Sequence, residues 1–174
     1  MLERSSTMTQ LSLIEGLSGA DFSDDGVYRY QLLRTWDKDK PLFTYVGLNP
    51  SIANAERGDR TTTRNLKRAR KLGAGSYIAV NLFAFVAKYP EDMKAAERPV
   101  GNRNDAAIMS AVSRSSWILC GWGFHGTHRG RDQEVLAMLK KNRIQAHCLG
   151  KTKDGQPRHP LYIADLKELE PMGL

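Results

Sequence analysis

Residues 42–51 read Leu42-Phe43-Thr44-Tyr45-Val46-Gly47-Leu48-Asn49-Pro50-Ser51. Residues 42–48 are nearly all apolar, as expected of a strand covered on both faces in a parallel sheet. Asn49-Pro50 then stops the strand, since proline brings no N–H to a ladder. A loop of small and polar residues follows. A helix is predicted over 61–72, with Leu66, Ala69 and Leu72 as its buried stripe and Gly73 at its end. Residues 77–85 read as a second buried strand with Asn81 near its end. Strand and helix patterns go on alternating, which predicts βαβ units and a mostly parallel sheet.

Working outward, a third strand is predicted over 117–122, broken by Gly121-Trp122-Gly123-Phe124-His125-Gly126. A fourth is predicted over 144–149. It leads through the turn Asp154-Gly155-Gln156-Pro157 to Arg158-His159-Pro160-Leu161-Tyr162. Helices are predicted over 104–113 and 131–142, and a short one over 163–169. Residues 86–103, with Pro90 and Pro99, read as a long loop. On the N-terminal side, 28–36 alternates and reads as an edge strand, paired with 42–48 through the turn at 37–40. Residues 1–26 are polar, end in the turn signal Asp24-Asp25-Gly26 and read as a partly ordered lead-in. Residues 27–174 then form one domain. The expected fold class is α/β: a three-layer sandwich with a mostly parallel central four-stranded sheet plus an N-terminal edge strand.

A chain of 174 residues can bury a real core, and its 41% hydrophobic and 26% charged residues are ordinary for a globular domain. No apolar run approaches the roughly 20 residues of a membrane helix. The N-terminus lacks a basic start followed by an apolar stretch, so no signal peptide is read. Cys120 and Cys148 both lie in apolar runs and read as buried reduced thiols of a cytoplasmic protein. No Cys/His cluster has metal spacing, and no Walker loop or GxGxxG is present, so neither metal nor cofactor is expected.

The net charge is +7, and much of it is local. Between Glu56 and Lys71 stand Arg57, Arg60, Arg64, Lys67, Arg68, Arg70 and Lys71, against Glu56 and Asp59. Such a run attracts polyanions; by itself it also suits a solvated helix face. Its position just after Asn49 favours a nucleic acid or nucleotide as partner. Arg64, Lys67, Arg68 and Lys71 are the candidate phosphate contacts, joined by Lys151, Lys153 and Arg158 beside His159. The oligomeric state stays open.

In chain order, the four strands lead to Asn49-Pro50-Ser51, Asn81-Leu82-Phe83, Trp122-Gly123 and His159-Pro160. This order resembles the uracil-DNA glycosylase superfamily over about residues 42–162. A closer resemblance is to the uncharacterised domain of unknown function 1643 family. It is carried by Leu48-Asn49-Pro50-Ser51, Val80-Asn81-Leu82-Phe83, Pro99-Val100-Gly101 with Asn104-Asp105, Trp122-Gly123 and His159-Pro160-Leu161-Tyr162. The superfamily implies a uracil-DNA-glycosylase-like fold and a site that recognises a nucleobase.

Cleaving a base from its sugar requires a positioned water, a stabilised leaving base and a reader of the base edge. Asn49 and His159 are the candidate catalytic pair. Asn49 would hold water through its carbonyl, and His159 would donate to the departing base. An amide is no general base, so Asn49 suits slow chemistry, or binding without chemistry. Asn81 offers both donor and acceptor to a base edge. Phe83, Trp122 and Ser51 complete the candidate base-binding set. Each has a plainer use: Asn49 as a turn former, Asn81 as a core amide, His159 as a structural donor and Trp122 as core. His125 and His128 lie in a Gly-rich loop and read as exposed and without function. Leu161 and Tyr162 suit either a wedge into nucleic acid or the core.

Overall fold

The computed structural model describes residues 18–51 and 60–174. Expectations for 1–17 of the lead-in, and for Glu56, Arg57 and Asp59 of the basic run, lie outside the described residues. Seven described strands form one sheet: β1 (Gly19–Phe22), β2 (Arg29–Thr35), β3 (Leu42–Gly47), β4 (Ser76–Asn81), β5 (Ser115–Cys120), β6 (His147–Cys148) and β7 (Glu170–Pro171). Their spatial order is β1-β2-β4-β3-β5-β6-β7. The central four, β4, β3, β5 and β6, run parallel. Antiparallel strands flank them on both sides.

The α-helices among the described residues are α1 (Arg60–Lys71), α2 (Pro90–Ala95), α3 (Asn104–Val112) and α4 (Arg131–Lys141). Alternation along the strands divides the core between the two faces of the sheet. Val46, Ile78, Val80, Ile118 and Cys120 pack with Ile108, Ala111 and Val112 of α3 and Val135 and Leu139 of α4. Phe43, Tyr45, Tyr77, Ala79 and Leu119 pack with Ala69 of α1. The chain is therefore a mixed α/β protein in three layers. Each fully buried Leu, Ile, Val or Phe contributes roughly 1.5–3 kcal/mol of transfer free energy, so both faces help hold the sheet.

Four expectations are corrected. The strand at 28–36 is not the edge, and it pairs antiparallel with β4 instead of β3. The edge belongs to β1, formed by lead-in residues, with Asp21 buried and paired to Arg103 at 3.0 Å. The loop 86–103 contains α2, which starts on Pro90 with Glu91 and Asp92 in its first turn. Residues 163–169 are not a helix. Their first two carbonyls accept from arginines of α1 instead of from N–H groups four residues on. This strap leads to β7, which adds the seventh strand beyond β6.

Beyond Asn81 the chain bends at Leu82 and leaves the ladder. The N–H groups of Leu82 and Phe83 donate to the carbonyls of Gly47 and Leu48, each at 2.9 Å. The expected strand 77–85 thus ends, as a ladder strand, on its candidate functional residue. No described helix is long and apolar enough to cross a membrane.

Candidate functional site

A cleft of about 670 Å³ opens at the carboxyl ends of the parallel strands. Asn49, Asn81, Trp122, His159, Ser51 and Arg158 all border it. The structure thus brings together residues whose motifs lie more than a hundred positions apart in sequence. Strand ends are the usual ligand sites of open α/β sheets, because successive loops converge there.

Asn49 is held by its amide nitrogen. Nδ2 donates to the carbonyls of Ala87 at 3.0 Å and of Pro50 at 3.2 Å. The N–H of Ala87 returns a bond to the Pro50 carbonyl at 3.0 Å. With both amide hydrogens engaged, Oδ1 is the polar atom that Asn49 has left for a ligand or water.

Asn81 is 6% exposed. Its side-chain amide makes no hydrogen bond to the described residues, and it borders the cleft. Neither polar atom of this amide is sealed in the core, so both are open to a ligand or water in the cleft. Its backbone is clamped from behind. Asn104 Nδ2 donates to the carbonyls of Asn81 and Leu82 at 2.9 and 3.0 Å. Arg131 Nε donates to the same Leu82 carbonyl at 2.9 Å while pairing with Asp105 and Glu134. Gly47 makes room in front, because a Cβ there would lie 2.8 Å from Asn81 Oδ1.

Trp122 is buried, and its Nε1 donates to Gln156 Oε1 at 2.8 Å. Gln156 Nε2 in turn donates to Asp132 Oδ2 at 3.0 Å. This chain of bonds joins the end of β5 to the turn that carries His159. The Gly123 N–H adds a bond to the Pro157 carbonyl at 2.9 Å. Close approach also demands Gly121, where a Cβ would meet Pro160 Cδ at 2.8 Å. His159 Nδ1 accepts from the Leu161 N–H at 3.2 Å, which leaves Nε2 as the protonated nitrogen of the neutral ring.

The candidate phosphate contacts divide. Arg68 is 4% exposed, and its guanidinium donates to the carbonyls of Ile163 and Ala164, each at 3.1 Å. Burial lowers its pKa, while nearby Asp165 favours its charge. Arg64 donates to the Ile163 carbonyl at 2.7 Å and pairs with Asp165 at 3.3 Å. Both hold the strap after the His-Pro loop, Arg68 from a buried position and Arg64 from a partly exposed one. Lys67 is exposed, 3.9 Å from Asp165, and Lys71 is exposed at the end of α1. Lys151 donates to the Met172 carbonyl at 3.3 Å, Lys153 lies exposed on the same turn, and Arg158 borders the cleft. Phe83 is wholly buried, its ring centroid 5.7 Å from that of His128, and it does not border the cleft.

Arg29, Lys88 and His125 are among the cleft residues not anticipated from sequence. Arg29 is 7% exposed yet borders the cleft. Strict alternation would place it on the same face as Gln31. The β1–β2 register pairs Asp21 with Gln31 and Phe22 with Arg29, leaving Tyr30 as an extra residue. Such a bulge turns the next side chain to the other face. Lys88 borders the cleft from the predicted loop. His125 is half-buried on the cleft wall, where its Nδ1 lies 2.9 Å from Lys94 Nζ, so the expectation that it is exposed fails. Among the described lining residues, Arg29, Lys88 and Arg158 are cationic and none is a carboxylate. The described residues contain no group of three His, Cys, Asp or Glu placed to hold a metal ion.

Fold and cleft together define a mixed α/β protein with a cleft at its strand ends whose charged lining is cationic. Residues 29–161 match the family described as a protein of unknown function, DUF1643, and the chain belongs to that family. Neither a curated protein nor a solved structure matches the chain.

Proposed function

We propose that the cleft recognises a nucleobase, carried by a nucleotide or a nucleic acid, and that Asn81 reads its edge. The observation that carries this reading is the Asn81 amide: more than nine-tenths buried, bordering the cleft and without a hydrogen-bond partner among the described residues. A planar ligand with an adjacent donor and acceptor satisfies both halves of that amide. Arg29, Lys88 and Arg158 suit the phosphate that accompanies a nucleobase. The chain order Asn49-Pro50, Asn81, Trp122-Gly123, His159-Pro160 adds support, through its resemblance to the uracil-DNA glycosylase superfamily. We take the sheet as a variant of that fold.

Binding without hydrolysis is the favoured form. Nothing about Asn49 supplies a base for water, and its amide hydrogens are fixed on backbone carbonyls. Calorimetry with nucleosides, nucleotides and short DNA tests this. Tight binding with the ligand recovered intact supports it; no binding removes it.

A second reading rests on the same orientation of Asn49. With Nδ2 engaged and Asn49 bordering the cleft, Oδ1 would hold a water for attack on the anomeric carbon. The base would depart with the glycosidic electron pair, stabilised by a hydrogen bond from His159 Nε2. The proton lost by the attacking water would pass through solvent to the departed base, giving the sugar hydroxyl and the neutral free base. Incubation with uracil- and modified-base-containing oligonucleotides tests hydrolysis. Product no greater than from an Asn49→Ala/His159→Ala double variant removes it.

A further inference from the structure

The mouth of the cleft carries aromatic side chains that the core does not take up. Tyr162 is 79% exposed and Phe124 57%, and both border the cleft. Tyr89, 55% exposed, does not itself border the cleft but follows the lining residue Lys88, whose ammonium sits 5.2 Å from the Tyr89 ring centroid. These aromatics come from three separate segments: the start of α2, the Gly-rich stretch after β5 and the His-Pro loop. Each is next to a basic or imidazole group. Phe124 packs edge-on against His125, which contacts Lys94, and Tyr162 lies against His159, next to Arg158.

An exposed apolar ring has no folding reason to stay exposed. Several rings interleaved with cations form the surface on which unpaired bases stack while phosphates meet the charges. We propose that the ligand is single-stranded nucleic acid, with one base in the cleft and its neighbours stacked on Phe124 and Tyr162. A mononucleotide would fill the cleft and leave the rim bare. A duplex keeps its base faces stacked on each other and offers them to no side chain. This inference rests on the nucleobase reading of the cleft and extends it outward.

The test is fluorescence anisotropy of the full chain with a labelled single strand of about ten nucleotides, a length within the span of known single-strand sites. The same sequence as duplex and an unlabelled mononucleotide serve as competitors. Phe124→Ser and Tyr162→Ser lie at exposed positions, and circular dichroism checks their folding. The single strand should bind at least about tenfold tighter than either competitor. Each rim substitution should weaken it about fivefold or more, the measured range for loss of a stacking ring. Equal affinity for duplex, or a double rim variant that binds the strand unchanged, overturns the inference. A mononucleotide that binds as tightly as the strand, and is weakened by Asn81→Ala, overturns it while sparing the cleft reading. Strand binding sensitive to the rim but indifferent to Asn81→Ala supports the rim and contradicts the cleft reading. No binding of any of the three overturns both.

Discussion

Asn49 Nδ2 donates to the Ala87 carbonyl at 3.0 Å, tying the loop after β3 to the segment before α2. The second amide hydrogen goes to the Pro50 carbonyl. Position 49 therefore needs a donor facing two carbonyls, which an ionised carboxylate cannot supply. This gives a structural reason for the amide where an efficient hydrolase would favour an acid.

Asn49→Asp is expected to destabilise the fold by about 1–3 kcal/mol, because two acceptors lose their donor and face a new negative charge. Urea unfolding of wild type and variant measures this. An unchanged midpoint would show that the two bonds do not hold the loop.

Gln156→Leu should cost at least about 2 kcal/mol. It leaves the Trp122 indole N–H and the Asp132 carboxylate without their bridge, in a place where both are buried. Denaturation followed by tryptophan fluorescence reads stability and the Trp122 environment together. A shape-conserving substitution with no loss would mean that the bridge does not join β5 to the His159 turn.

Arg68→Leu and Lys71→Ala should act on different quantities. Arg68 holds the Ile163 and Ala164 carbonyls from a buried position, so its loss should lower stability by about 1–3 kcal/mol. Lys71 is exposed, and its loss should change stability by less than about 0.5 kcal/mol. If nucleic acid runs along this face, the Lys71 substitution alone lowers the slope of log affinity against log salt. Comparable destabilisation by both would contradict the division of the basic helix into an inward and an outward set.

Gly47→Ala should harm ligand binding more than folding. The added Cβ would lie 2.8 Å from both Asn81 Oδ1 and the buried Tyr45 ring, so the amide at the cleft and the ring must both shift. Thermal shift with and without a bound nucleotide separates the two effects. A ligand-induced shift equal to that of wild type would show that the placement of Asn81 is not what the ligand reads.

The parallel centre of the fold was legible because its strands are buried on both faces and read as apolar runs ended by Asn-Pro, Asn and Trp-Gly. The convergence of Asn49, Asn81 and Trp122 then followed from parallel topology, since parallel strands put their carboxyl ends on one side, whereas His159, beyond β6, is brought in by the Gln156 bridge to Trp122. What failed depended on contacts remote in sequence. Arg29 faces the cleft because Tyr30 makes a bulge against β1, and no local pattern marks it. Arg64 and Arg68 count as polar in any periodicity, yet they turn toward carbonyls almost a hundred residues away. Those same bonds replace the helix expected after Ile163. Phe83 reads as a stacking ring from its neighbour Asn81, but the chain bends at Leu82 after β4, and Leu82 and Phe83 both enter the core. For α2, Pro90 followed by Glu91 and Asp92 was an available signal of a helix start.

The central claim, that Asn81 reads a nucleobase in the cleft, is tested most directly by a crystal structure of the full chain soaked with a nucleotide. The account predicts density for the base between the Asn49 and His159 sides of the cleft, with its polar edge about 3 Å from Asn81 Oδ1 and Nδ2. A nucleotide bound elsewhere, or a base in the cleft whose edge leaves the Asn81 amide unpaired, would contradict it.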